Sequence, residues 1–214
     1  MDAERTRLLR ELLAGTEWTR RTTEFARSLR GAKHNAGGLL LVGTPTAEPW
    51  HLAAHLDDEA RLAGLAELSP VLVRHAVPLG APPHLAIDLS RLEAVRRGET
   101  VLLAAEDAPG EGVLERVADA RRAGATVLAM DAGDGELAGL AHDRLSVGPG
   151  GLVADGLIVP VGEGFEIASH LVSTAAGAPL PGRGVRARLS RALEAVSGPA
   201  PKIHDGPTDE GTGL

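Results

Sequence analysis

Two pairs of residues in this 214-residue chain have the side chains and the spacing of metal ligands. His51 and His55 lie four apart, and so do Glu166 and His170, each pair on a segment with helical periodicity. Four residues make about one helical turn, so the side chains of a pair share a face. Three imidazoles and one carboxylate suit zinc or a similar divalent ion in a chain without cysteine. A solvated helix face or a contact between subunits would leave the same pattern, so both readings stay open.

A second group of polar residues lies where a predicted β-turn-α-β unit turns. The apolar runs Val101–Ala105 and Thr126–Met130 predict parallel strands, and ligands of open α/β sheets bind at the carboxyl ends of such strands. The turn brings Glu106 and Asp107 to that edge. It also brings Gly110 and Gly112, whose amides would begin a helix and favour an anion.

Another turn follows the apolar run at 38–42, and Thr44 and Thr46 within it can hold a polar ligand from the other side. His75, His84 and His142 are isolated in the sequence, and we expect them to be structural or exposed.

These residues can share one site only if a sheet positions them, and the pattern of the rest of the chain predicts such a sheet. Apolar runs predict further strands at 71–77 and 144–147, and hairpin arms at 152–153 and 157–159. Amphipathic spacing predicts one long helix or two short ones at 2–30, and further helices at 50–68, 165–176 and 185–196. It also predicts a short extended piece followed by a helix at 85–97, and a turn with a short helix at 131–140. Alternating strands and helices predict an α/β fold, a three-layer α/β/α sandwich with a mainly parallel five-stranded sheet. We divide the chain into an N-terminal helical segment (1–35), the α/β domain (36–197) and a disordered tail (198–214).

Composition and charge argue against some classes of binding partner. The formal net charge is −7 with only two lysines, which argues against a nucleic-acid partner because such binding needs a basic face. No apolar run approaches the roughly 20 residues of a membrane span, and the N-terminus has no signal-peptide core. The absence of cysteine fits a reducing compartment. We therefore expect a cytoplasmic protein with a small-molecule ligand and no membrane partner.

Three segments, residues 38–56, 89–130 and 137–143, resemble the SIS (sugar isomerase) domain family over roughly residues 36–176. The resemblance implies a flavodoxin-like fold, a phosphosugar ligand, and a homodimer or homotetramer. The family holds the sugar phosphate with a loop rich in Ser and Thr. This chain has Ala104–Pro109 at that place, with two carboxylates and no hydroxyl. We therefore expect weak or absent phosphate binding at this loop.

A weaker resemblance is to the sedoheptulose 7-phosphate isomerases, a branch of the same family. They hold zinc with a histidine and a glutamate four apart on one helix, and with a glutamine and a histidine from a late helix. His51 falls on the family's histidine, and His55 falls where the family has glutamate. Glu166 and His170 lie in the comparable late region, with a carboxylate in place of the amide.

The resemblance leads to three hypotheses about function. The first is a phosphosugar-binding protein that acts as an aldose-ketose isomerase, in which a metal polarises the substrate carbonyl and hydroxyl. His55 or Glu48 would move the proton in that reaction, with or without the metal. The second is a non-catalytic metabolite-binding or regulatory module on the same fold, and the third is an oligomeric structural protein.

Overall fold

Five short strands form the central sheet of this protein. The computed structural model describes residues 11, 13, 16–32, 35–148, 152–154 and 157–179. Within them the strands are β1 (Leu39–Val42), β2 (Val71–Val73), β3 (Thr100–Ala105), β4 (Thr126–Asp131) and β5 (Asp143–Ser146). Their order in the sheet is β2-β1-β3-β4-β5, and each neighbouring pair is parallel. The predicted five-stranded α/β/α fold is confirmed.

Helices cover both faces of the sheet, and a small hairpin follows the last strand. The α-helices are α1 (Glu17–Gly31), α2 (Trp50–Ala63), α3 (Ser90–Glu93), α4 (Glu111–Arg122), α5 (Gly135–Leu140) and α6 (Val161–Gly177). Short 3-10 turns span Ala66–Leu68 and Pro83–Leu85, and β6 (Leu152–Ala154) pairs antiparallel with β7 (Leu157–Val159). None of these helices is long and apolar enough to cross a membrane. The predicted helix at 185–196 and the predicted tail at 198–214 lie outside the described residues.

The sheet is buried on both sides because successive strand residues alternate between two cores. Leu39 and Leu41 of β1 belong to a core that also contains buried residues of α1, α2 and α6. Leu40 and Val42 belong to the opposite core, which contains buried residues of α3, α4 and α5. This double burial explains why the strands read as continuous apolar runs in the sequence.

Three elements differ from the boundaries that the sequence predicts. Helix α2 ends at Ala63 because Gly64 adopts a left-handed conformation (φ +66°) and caps it. Strand β2 ends at Val73, and a single parallel bridge between Arg74 and Asp88 follows it. In the segment 85–97, predicted to combine a short extended piece with a helix, Asp88 forms that bridge and the helix is only the single turn of α3.

The strand order creates a switch point between β1 and β3. From β1 the chain crosses through α2 to β2 on one side, whereas β3 lies on the other side of β1. The loops that leave the carboxyl ends of β1 and β3 therefore diverge and open a crevice, which is where ligands of this class of sheet bind.

Candidate functional site

The loop after β1, residues 43–49, folds into a tight turn with little room to vary. The amide of Thr44 donates to the carbonyl of Ala47 (3.1 Å), and the amide of Ala47 donates back to Thr44 Oγ1 (3.1 Å). Gly43 must be glycine for steric reasons, since a Cβ there would lie 2.6 Å from Cδ of Pro49 and closer still to the oxygen of Ala47. Nε2 of His75 lies 3.0 Å from the carbonyl oxygen of Gly43, so His75 has a structural role.

A side-chain contact links this loop to the loop after β3. Thr46 Oγ1 donates a hydrogen bond to Asp107, and Thr44 Oγ1 lies 3.2 Å from Thr46 Oγ1. Hydrogen bonds from the Thr44 and Thr46 hydroxyls lower the pKa of Asp107. The structure thus brings together three residues predicted to line the site. In this arrangement the Thr46 hydroxyl donates its hydrogen to a carboxylate of the protein itself.

A cleft of about 220 Å³ opens beside this contact. It is lined by residues 47–52, by Ala104 and Glu106 at the end of β3, and by Phe165, Glu166 and Ser169 of α6. Burial raises the pKa of Glu106, and the neighbouring carboxylates of Asp107 and Glu166 raise it further. Glu106 therefore takes up a proton more readily than an ordinary glutamate does.

The four predicted metal ligands come together as two separate pairs between α2 and α6. Nδ1 of His51 lies 3.6 Å from Oε1 of Glu166, and both side chains are largely solvent-accessible. The rings of His55 and His170 meet edge to face with their centroids 5.1 Å apart. No group of three or more His, Asp or Glu side chains in the described part of the chain is arranged to hold a metal ion. The structure places these side chains of α2 beside those of α6, and the shared zinc site stays a prediction.

Glu48 lies at the rim of the cleft in a small cluster of side chains. The sequence did not indicate this cluster. The carboxylate of Glu48 accepts from Nε1 of Trp50 (2.9 Å) and from Nη2 of Arg74 (2.9 Å). The guanidinium carbon of Arg74 also lies 4.7 Å from the centroid of the Trp50 ring. Two signals point to this cluster in retrospect: Trp50 is one of only two tryptophans, and Arg74 directly follows a buried strand.

These contacts bear on the two residues predicted to transfer protons. The Glu48 carboxylate is already engaged by Arg74 and Trp50, and His55 faces His170 and is not among the residues that line the cleft. Their catalytic roles stay predictions.

The glycines predicted to bind an anion lie at the start of α4. Gly110 has φ +80° and its carbonyl accepts from the amides of Val113 and Leu114, while Gly112 lies in the first turn. Neither lines the cleft. Glu111 lies in the first turn of this helix, and Glu106 and Asp107 precede the helix by a few residues in the sequence. Negative charges near this end of the helix oppose the binding of an anion.

Asp131 lies at the carboxyl end of β4 and has a structural role. It is fully buried, pairs with Arg144, and accepts from the amides of Gly133 (2.6 Å) and Asp134 (3.2 Å). Asp134 caps α5 by accepting from the amide of Leu137.

No protein-family model and no curated protein matches the chain. Solved structures do match. The sugar isomerase domain of an RpiR transcription factor from Sphaerobacter thermophilus has a TM-score of 0.49 and 13% identity, covering 92% of this chain and 99% of that chain. A candidate phosphosugar isomerase from Salmonella typhimurium has a TM-score of 0.46 and 13% identity, covering 75% of this chain and 44% of that chain.

A third match is the Vibrio vulnificus NanR protein complexed with ManNAc-6P. It has a TM-score of 0.45 and 11% identity, and the alignment covers 92% of this chain and 74% of that chain. The names of the first two contain the words sugar isomerase or phosphosugar isomerase. At these identities the likeness concerns the fold alone.

Proposed function

We propose that this α/β domain binds a small sugar or sugar phosphate in the cleft bounded by the loop after β1, the end of β3 and α6. The observation that carries the proposal is the position of that cleft at the switch point of the sheet, with carboxylates, an imidazole and an indole in its lining. Its volume of about 220 Å³ is below that of sites for drug-sized ligands, so a single small metabolite fits best. The sugar class comes from the resemblance to the SIS domain.

The charges of the cleft favour recognition of the sugar over recognition of its phosphate. Glu106 and Glu166 line the cleft, Asp107 is adjacent, and the nearby cation, Arg74, is paired with Glu48. Two like charges about 4 Å apart repel by ~1 kcal/mol in water and ~4 kcal/mol at the dielectric typical of a protein surface. A phosphate dianion beside these carboxylates would therefore lose affinity that the free sugar keeps.

A thermal-shift panel tests the proposal. It contains aldose and ketose hexose phosphates together with the matching free hexoses, because a ligand of the native state must raise the unfolding midpoint. We expect at least one sugar to raise the midpoint, and the free form to do so at least as strongly as its phosphate. An unchanged midpoint across the panel would reject sugar binding, and a shift by phosphates alone would reject the charge argument.

Aldose-ketose isomerisation is a second candidate function, and Glu106 is the observation that favours it. A carboxylate with a raised pKa is a stronger base than an ordinary one. Glu106 would remove the proton from the carbon next to the substrate carbonyl and return it to the neighbouring carbon through an enediol. Glu166 or His51 would carry the second proton between the two oxygens.

Proton exchange separates an isomerase from a binding module. In deuterated water an isomerase incorporates deuterium at the carbon next to the carbonyl, which NMR detects. We expect Glu106→Gln to abolish this incorporation while the midpoint shift with the same sugar persists. Binding without any deuterium incorporation in the unmodified protein would assign the non-catalytic role.

Zinc at His51, His55, Glu166 and His170 is a separate proposal with its own test. The four side chains form two pairs without a common centre, so the proton transfers of the isomerisation are assigned to side chains alone. Metal analysis of protein purified without a histidine tag decides the question. A stoichiometric ion that is lost in His51→Ala would support the site, and protein without bound ion would reject it.

A further inference from the structure

Trp50 is one of the few large apolar residues that the described part of the protein exposes to solvent. Its side chain is 40% accessible and lines the cleft, at the first residue of α2. The other large apolar side chains that are exposed among the described residues, Leu62, Leu79 and Ile158, do not line the cleft. Ligand sites are lined largely by apolar and aromatic side chains, so an exposed indole in the lining of a cleft is placed to contact a ligand.

The indole is also held on two sides. Nε1 donates to Oε2 of Glu48 (2.9 Å), which fixes one edge, and Arg74 covers one face with its guanidinium carbon 4.7 Å from the ring centroid. Arg74 and Glu48 pair with each other and are themselves mostly buried, at 13% and 17% exposure. A side chain fixed in this way loses little conformational freedom when a ligand binds.

Because Arg74 covers one face, the opposite face is the flat surface that remains for a ligand. We propose that this face of Trp50 is a stacking platform for the apolar face of a sugar ring, and that Arg74 and Glu48 are the positioning residues that orient it. This inference rests on the proposed function and adds how the sugar is recognised. The C–H groups on one side of a pyranose pack against the indole, and the ring hydroxyls then reach Glu106, Glu166 and His51 in the same lining.

The paired carboxylate matters for the chemistry of the platform. The positive charge of Arg74 is balanced by Glu48 at 2.9 Å, so the electron density of the ring stays available to the C–H groups of a ligand. Lysine could not replace Arg74 fully, because its ammonium is not planar and cannot stack on the ring while bonding Glu48 through two nitrogens.

The chain offers a clean optical test because it contains two tryptophans and no tyrosine. In a Trp18→Phe background the indole fluorescence comes from Trp50 alone. Titration with the hexose that gives the largest thermal shift is expected to change this fluorescence. Trp50→Ala in the unmodified chain should raise the Kd for that hexose about ten-fold, equivalent to ~1.4 kcal/mol. Leu62→Ala, an exposed apolar residue on the same helix outside the cleft, is the matched control and should leave the Kd unchanged.

A second measurement tests the positioning residues without any ligand. Acrylamide quenches an indole that it can reach, and Arg74→Gln in the Trp18→Phe background uncovers the second face of Trp50. We expect the quenching constant to increase in this variant, with a smaller increase in Arg74→Lys. A quenching constant that does not change would overturn the covering role of Arg74 directly.

The binding outcomes separate this inference from the proposed function. A hexose that shifts the midpoint of Trp50→Ala as much as that of the unmodified protein would overturn the platform and leave sugar binding intact. A panel without any shift would overturn both. A loss of affinity in Trp50→Ala with an unchanged unfolding midpoint of the free protein would support the platform, because it excludes a general loss of structure.

Discussion

Gly43 is the residue of the site whose replacement has the most predictable consequence. A Cβ at this position would lie 2.6 Å from Cδ of Pro49 and closer still to the oxygen of Ala47. These atoms belong to the backbone and to a proline ring, so they cannot swing aside as the tip of a flexible side chain would. We expect Gly43→Ala to displace the whole turn that carries Thr44 and Thr46.

The energy of this change can be estimated from the contacts. A displaced turn loses the two hydrogen bonds between Thr44 and Ala47, each with a net contribution of about 1 kcal/mol. Overpacking of the strand end costs about 1–3 kcal/mol more. Together these make a destabilisation of about 3–5 kcal/mol, and in a domain of this size the thermal midpoint then falls by about 6–20 °C.

Urea and thermal unfolding measure this loss, and Gly139→Ala is the matched control. Gly139 lies in α5, and a Cβ there meets nothing within 4 Å, so the change should be neutral or stabilising by up to ~1 kcal/mol. Gly43→Ala should also lose the midpoint shift with sugars. A Gly43→Ala protein with the unfolding midpoint of the unmodified chain would refute the packing described for the loop after β1.

Three further predictions concern charged groups. Glu106→Gln should raise the stability at neutral pH, because the raised pKa of Glu106 means that its ionised form is disfavoured in the fold. Urea unfolding should show that this gain in stability vanishes as the pH falls below about 4.5. Asp107→Asn should lower the stability at neutral pH. The pKa of Asp107 is lowered in the fold, so its ionised form stabilises the protein at pH values above the ordinary pKa of 3.8. Unfolding at several pH values should show the two proteins converge as the pH falls through the lowered pKa. Arg144→Leu should cost about 3 kcal/mol in urea unfolding because it leaves the buried carboxyl group of Asp131 without its cation. Arg122→Leu, which removes an exposed ion pair, should cost less than about 1 kcal/mol, and equal losses in the two variants would contradict this reasoning.

The sheet could be predicted from the sequence because its physical cause is local. A strand that is buried on both faces must be apolar at every position, so Leu39–Val42 and Val101–Ala105 can be recognised without knowledge of their neighbours. The strand at 71–77 was predicted too long because Val77 continues the apolar pattern. The structure ends that strand at Val73, where pairing passes to the bridge between Arg74 and Asp88.

The site was predictable only in part. The i, i+4 spacing of His51 and His55 places both on one helix, but it does not give the distance to another helix more than 100 residues away in sequence. The contact between Trp50 and Arg74 depends on how far β2 extends before the chain turns, which no local pattern encodes. Loops that meet at a sheet edge are therefore the part of the molecule that sequence periodicity describes least.

The contact between Thr46 and Asp107 gives a physical reason for the weak phosphate binding expected from the sequence. Asp107 accepts the hydrogen bond that a ligand phosphate would otherwise take from the loop after β1, and the hydroxyls lower its pKa as they would favour any anion there. A carboxylate of the chain thus satisfies these donors. A phosphate would have to displace Asp107 and approach Glu106 in the same step, whereas a sugar hydroxyl can donate to either carboxylate without displacing the contact. The loop sequence that departs from the family pattern is therefore consistent with a cleft that recognises hydroxyl groups.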